Sequence, residues 1–280
     1  MPFPYCYLFD SKYAAIQQLT DFQFIQTDSA QLAYSIEKTT AISLPQSPFG
    51  GIFTTNEDQQ ELFQFLDQAK QELTGKVRQL LIKQPIHVYP SVATNHLIDY
   101  GFQKKLSEIS HFVDLINFEP DQLHLMQKRK LDSSSFDLQL LPVKQLPSVH
   151  EFIENARAEQ GIHINTSLDT LSKQFEAFPD RFLIYGAYHL EELAATCIVS
   201  LPTDDIAYYF LPASSATYRS KSPMVALMVY LYDDLRKRGF TYLDLGVSSI
   251  NGVPQHSLIN FKERMGGIYA ERSNLVLNIE

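Results

Sequence analysis

The sequence predicts an α+β protein made of two similar tandem halves, each a twisted mixed β-sheet flanked by helices. Three observations predict it. The chain has 280 residues and is 45% hydrophobic, with 19 Phe and 15 Tyr, enough for two cores in domains of about 120 to 150 residues. Helical and strand periods follow one another in a definite order through the second half. The same closing order, weaker letter by letter, recurs at the end of the first half.

In the first half, "SPFGGIF" precedes a helix over residues 57–73, in which Leu62, Phe65, Leu66, Ala69 and Leu73 share a face. Gly75 closes that helix, "VRQLLIKQ" reads as a strand, and "NHLIDYGF" turns at glycine into a further strand. The expected boundary lies near Glu119-Pro120, giving domains 1–120 and 121–280, with "DQLHLMQKRKLDSSS" as a junction that is helical at its start. In the second half, residues 148–160 place Val149, Phe152, Ile153 and Ala156 on one helical face, and a second helix runs from 167 to before Pro179. "RFLIYGAYH", "LAATCIVSLP" and "DIAYYFLP" read as an antiparallel meander. Ser222 as N-cap and Pro223 in the first turn open the strongest helix, striped by Met224, Leu227, Met228, Leu231 and Leu235 and stopped at Gly239. "FTYLDLG" is then a strand, 258–265 a helix ending at Gly266-Gly267, and "IYAERSNLVLNI" the final strand.

Helix, helix, three-stranded meander, helix, strand, helix, strand resembles the GNAT-type acyltransferase fold. Two such units, together with "SPFGG", "QKRK" at the junction and "YLDLGVSSINGVPQHSLINFKERMGG" near the end, resemble its Fem-type (FemAB-like) branch. The resemblance implies an N-acyltransferase that moves an acyl group from a thioester or aminoacyl-tRNA donor to a small-molecule or peptide amine. It also implies acyl-CoA as a co-substrate; the second half, whose elements are more complete, is the candidate active domain. The loop where GNAT proteins carry closely spaced glycines is here "ASSATYRSKSP". Without glycine, backbone N–H groups approach a pyrophosphate less closely. That departure supports an alternative, a non-catalytic ligand-binding protein that keeps the fold.

Composition narrows the partners. A net charge of −9 opposes the basic footprint expected of a DNA-binding protein. The same balance, and the absence of the long helical arm of some Fem-type proteins, argue against a tRNA donor without removing it. No apolar run approaches the roughly 18 residues of a membrane span, and the N-terminus does not read as a signal peptide. Cys6 and Cys197 stand apart, which suits unpaired thiols in a reducing cytoplasm. The histidines show no HExxH or paired spacing, so no metal is expected. GxSxG, Walker and GxGxxG signatures are absent.

Four features are candidates for chemistry. The start of the Pro223 helix, with Tyr218, Arg219, Lys221 and Ser222, would hold a donor anion, or would be an ordinary cap with solvated cations. Asp244 at a strand end would take the amine proton, and Ser248 or Asn251 would hydrogen-bond the acceptor or oxyanion. In the plainer reading, Asp244 caps a turn and Asn251-Gly252 forms one. Lys262 would reach a phosphate or carboxylate of the ligand, or snorkel to solvent. Tyr208 and Tyr209 alternate across their strand, so one points to the core while the other, with Tyr209 the candidate, would protonate a leaving group.

Overall fold

The computed structural model describes residues 3 and 5–279. Its first elements are α1 (Ser11–Ile16), β1 (Gln23–Gln26), β2 (Ala30–Glu37), β3 (Thr40–Ile42), β4 (Phe53–Thr54), α2 (Gln59–Leu73), β5 (Gln79–Lys83), α3 (Thr94–Tyr100) and β6 (Gln103–Asp114). There follow α4 (Leu125–Asp132), β7 (Asp137–Leu141), α5 (Leu146–Ala158), α6 (Leu168–Ala177), β8 (Phe182–His189), β9 (Glu192–Ser200) and β10 (Ile206–Ser214). The chain closes with α7 (Pro223–Lys237), β11 (Tyr242–Val247), β12 (Ser249–Ile250), β13 (Val253–Pro254), α8 (His256–Arg264) and β14 (Ile268–Asn278).

These elements form two compact units whose sequences interleave. The first takes the chain up to Ser110, then 247–255 and the segment from Ala270 onward; the second takes His111–Gly246 and His256–Tyr269. A single cut near residue 120 therefore does not describe the units. The physical reason is strand placement. β14, last in sequence, pairs antiparallel with β5 from Asn274↔Lys83 to Asn278↔Gln79, inside the first unit. In the second unit the amide of Leu115, just past β6, donates to the carbonyl of Thr241, just before β11, at 2.8 Å.

The first unit carries strand order β1-β2-β3-β5-β14-β6, with β4 on β2. β3 and β5 are parallel, so a crossover must join them, and α2 supplies it. Asp58 accepts from the amides of Gln60 and Glu61, which is why the helix begins at Gln59. Its predicted apolar face is buried against Leu32, Tyr34, Leu80 and Leu275. "SPFGGIF" is held from below. The Lys83 ammonium donates to the carbonyls of Leu44, Pro45 and Ser47 at 3.3, 3.1 and 2.5 Å, and Arg272 donates to that of Pro48 at 3.0 Å. A Cβ on Gly50 would lie 2.4 Å from the Ser43 hydroxyl, so only glycine fits there.

The second unit repeats the plan as β11-β10-β9-β8-β7, antiparallel except for β10 and β11, which α7 connects as a crossover. The strand β7 and the strands β1 to β3 were not anticipated from sequence. The predicted stripe of α7 is buried, with Leu227, Met228, Leu231 and Leu235 fully enclosed against Tyr185, Val199 and Leu243. Each such side chain contributes about 1.5–3 kcal/mol of apolar transfer. Gly266 and Gly267 end α8 as expected. Gly266 has φ +84°, and the Gly267 amide returns 2.8 Å to the carbonyl of Lys262.

Two outcomes follow. A Cβ on Gly267 would sit 2.7 Å from the Lys262 carbonyl oxygen and 3.3 Å from Leu245. Gly267→Ala should therefore lower unfolding stability by about 1–3 kcal/mol in a denaturant titration, with the slope unchanged. Burial first, then the Arg272 charge, push the Lys83 ammonium down to about 8 from an ordinary 10.5. Between these values the unfolded chain holds the proton that the folded chain has released. Wild-type stability relative to Lys83→Met should rise with pH over that window, by about 1–3 kcal/mol; a flat difference would contradict the assignment.

Candidate active site

The second unit's site begins where its two parallel strands part. β10 and β11 pair at Ile206↔Tyr242, Ala207↔Leu243 and Tyr208↔Asp244, and no pairing between them continues beyond. A register shift in β10 between Tyr209 and Leu211 marks a bulge at the same place. The carbonyl of Pro212, farther along β10, accepts two bonds from Arg157 of α5, at 3.1 and 2.7 Å. Nothing in the sequence pointed to Arg157 beyond its place in a helix's last turn.

Asp244 is fully buried, and its Oδ1 accepts from the Gly246 amide at 2.8 Å. The turn-capping role weighed from sequence is thus present. Gly246 has φ +73°, and a Cβ there would lie 3.1 Å from the Tyr208 hydroxyl, so glycine lets the tyrosine tip lie over the strand end. The Gly246 carbonyl accepts from Lys262 Nζ at 2.8 Å. Lys262 is only 4% exposed. It does not snorkel; the αL turn after α8 holds its helix so that the stem crosses the core toward β11.

His111 of β6 is also fully buried. Burial pushes its imidazole below the ordinary histidine range; the Lys262 charge adds to this, and Glu263 opposes it. The ring is therefore neutral at neutral pH beside a buried ammonium. Sequence reasoning missed His111. The available signal was a titratable residue in the apolar end of its strand, "SHFVD".

The other candidates fall elsewhere. Tyr209 packs into the core, and its hydroxyl donates to the Met224 sulfur at 2.8 Å. Burial drives its phenol well above the ordinary value. Tyr208, its neighbour on the opposite face, is the one at the strand end. Ser248 and Asn251 belong to the first unit. Ser248 is buried, and its amide donates to the Ile109 carbonyl at 2.6 Å. Asn251, φ +51°, and Gly252, φ +77°, form the two-residue turn of the β12–β13 hairpin, which accounts for both residues.

The loop before α7 is a short 3₁₀ turn, Ala216–Lys221. Ser222 adopts φ +53° and makes no side-chain cap to α7, contrary to its expected N-cap role. Tyr218 donates to Glu192, and Lys221 Nζ lies 2.7 Å from His189 Nε2, so both reach sideways to the β8–β9 hairpin. Arg219 is exposed, and its guanidinium has no hydrogen-bond or ion-pair partner among the described residues. Among the described residues no cluster of His, Cys, Asp and Glu suited to a metal is present, and no helix is long and apolar enough to cross a membrane.

No family model matches the chain, and no curated protein matches it in sequence. Among solved structures, it is similar to FemX, with TM-score 0.73, 12% identity, and coverage of 98% of this chain and 93% of that one. It is also similar to the C-terminal domain of a putative lysylphosphatidylglycerol synthetase from Agrobacterium fabrum, with TM-score 0.62, 16% identity, and coverage of 95% and 87%. A tandem GNAT protein from the clavulanic acid biosynthesis pathway aligns with TM-score 0.50, 12% identity, and coverage of 96% and 87%. The divided parallel pair, the crossover helix beside it and these likenesses agree: the chain has the tandem GNAT-like fold of the Fem type.

Proposed function

We propose that this protein transfers an acyl or aminoacyl group from an activated donor to an amine, with the chemistry at the parting of β10 and β11. The observation that carries this reading is the buried Lys262 ammonium held at the strand end by the Gly246 carbonyl. A lysine enclosed this way costs desolvation and is not needed to end α8, which the glycines do. The names of two similar proteins, a lysylphosphatidylglycerol synthetase and a GNAT protein, support group transfer as the class.

In such a transfer the amine nitrogen bonds to the donor carbonyl carbon, and the bond to sulfur or ester oxygen breaks. One proton passes from the amine to the departing group. Negative charge develops on the carbonyl oxygen, and a fixed ammonium opposite it stabilises that state most where water is excluded. Lys262 takes this role. Tyr208, whose hydroxyl lies at the strand end, is the proton donor to the leaving group in place of Tyr209. Asp244 either accepts the amine proton or acts through the Gly246 turn as a positioning residue. Arg219 holds donor phosphate. A second reading, ligand binding without transfer, is favoured by one observation: Tyr218 and Lys221 are engaged by Glu192 and His189.

Thermal shift with free CoA, acetyl-CoA and longer acyl-CoAs tests the donor, because a ligand binding only the folded state raises its melting temperature. A shift with the CoA series supports a thioester donor. No shift removes it and leaves aminoacyl-tRNA to be assayed by transfer to an amine. Once a donor is found, Lys262→Met should cut kcat by about 100-fold or more while donor binding survives. Asp244→Asn keeps the Oδ1 acceptor, so a lost acidic limb of the kcat/KM profile would mark a base, and an unchanged profile with a lower melting temperature would mark positioning. Unaltered turnover in Lys262→Met would exclude the proposed centre.

A further inference from the structure

The first unit holds a cavity that the transferase reading does not use. It has a volume of about 610 Å³ and is bordered by the start of α2, the segment after β5, the approach to α3, and the paired faces of β6 and β14. That volume lies in the range of small-molecule sites, about 300–1,000 Å³. We propose that this cavity binds a small molecule bearing a primary ammonium group, of the size of an amino acid or a diamine.

The argument begins with Glu271. Its Oε1 accepts three bonds, from Lys104 Nζ at 2.6 Å, Ser107 Oγ at 3.0 Å and Ser273 Oγ at 2.7 Å. All three donors converge on one oxygen. The other, Oε2, has no hydrogen-bond partner among the described residues, and the residue borders the cavity. A carboxylate oriented by three donors is pre-organised, so a ligand cation meets it without first ordering a side chain.

Gln84 lies in the wall beside it. It borders the cavity and is 4% exposed. Its amide nitrogen donates to the Val92 carbonyl and, at 3.3 Å, to the Ser91 hydroxyl. A carbonyl takes only a donor, so the nitrogen must face Val92 and the amide cannot be turned over. Its Oε1 is consequently a buried acceptor with no partner among the described residues. A buried acceptor left unpaired costs about 1–3 kcal/mol, so the polar groups of this wall are incompletely satisfied within the fold.

Charge selects the same class. Glu57, Asp58 and Glu271 border the cavity against a single lysine, Lys104, which is already bonded to Glu271. Asp58 caps α2 with its own carboxylate, so the dipole of that helix is occupied from within the chain. An anion entering here would find three carboxylates, while a cation would find the second oxygen of Glu271 and an excess of negative charge. Ala93, Val92 and Leu62 give the cavity an apolar wall against which a short carbon chain can lie.

Calorimetric titration of the full chain with cadaverine, L-lysine and glutarate tests the assignment without any turnover, so its result is separate from that of the transferase reading. Saturable one-to-one binding of cadaverine or L-lysine, with none for glutarate at matched ionic strength, is the expected result. Glu271→Gln should weaken cadaverine binding by about tenfold or more, the loss of one desolvated charge pair. Glu57→Gln, at an exposed position, is the second variant and should weaken it less. Melting curves confirm that both variants fold. The proposal is overturned by the absence of saturable binding for both ammonium probes up to about 10 mM. It is also overturned by undiminished affinity in folded Glu271→Gln, or by glutarate binding as well as cadaverine.

Discussion

The pairing of β10 with β11 ends at Tyr208 and Asp244, and much of the second unit's architecture depends on that stop. Parallel strands that separate expose backbone on both inner edges, and exposed backbone in a buried place must find partners. Three devices meet this demand around the parting. Arg157 satisfies the Pro212 carbonyl from α5, Lys262 satisfies the Gly246 carbonyl from α8, and the Asp244 carboxylate satisfies the Gly246 amide. All three are ionisable groups that the core would otherwise reject. Their cost is offset because each replaces water at a main-chain group that the fold cannot pair by itself.

The same economy explains the glycines. Gly246 takes a conformation open to glycine and leaves room for the Tyr208 hydroxyl; Gly267 lies against the Lys262 carbonyl. Neither serves flexibility. Each allows two chain segments to approach where a methyl group would hold them apart. Gly50 does similar work in the first unit, where the Lys83 ammonium gathers three carbonyls of the preceding loop. Ammonium-on-carbonyl contacts thus recur in both units, once to close a loop and once to finish a strand.

The loop before α7 shows how a local departure alters chemistry without altering fold. The crossover from β10 to β11 survives although its loop has no glycine, because an αL turn at Ser222 is enough to start the helix at Pro223. The amides of Thr217, Tyr218 and Ser222 are bonded within the turn itself. Tyr218 and Lys221 are bonded to the adjoining hairpin, and Arg219 is left as the exposed cation. A donor phosphate would therefore rely more on a side chain and less on main-chain amides than in a glycine-rich loop.

Much of the fold was legible in sequence. Helices α2 and α7 announced themselves by apolar stripes and caps, and β8 to β11 by apolar runs between turns, because those signals are local and periodic. Strands β1 to β3 and β7 carried weaker patterns and were missed. The interleaving of units was beyond local reading, since which strand lies beside β5 depends on hydrogen bonding between residues nearly 200 positions apart, as in Asn274↔Lys83. Of the residues at the strand end, sequence singled out Asp244 and Lys262 by residue type and place on an element, and it put Tyr209 forward where Tyr208 lies there. It could not tell that Lys262 turns inward, that Tyr209 belongs to the core, or that His111 lies buried near the ammonium. Residue type and period determine which elements form and which face of each is apolar. Burial of a charge is decided only when strands part and leave main-chain groups to be satisfied, and that is a property of the tertiary structure.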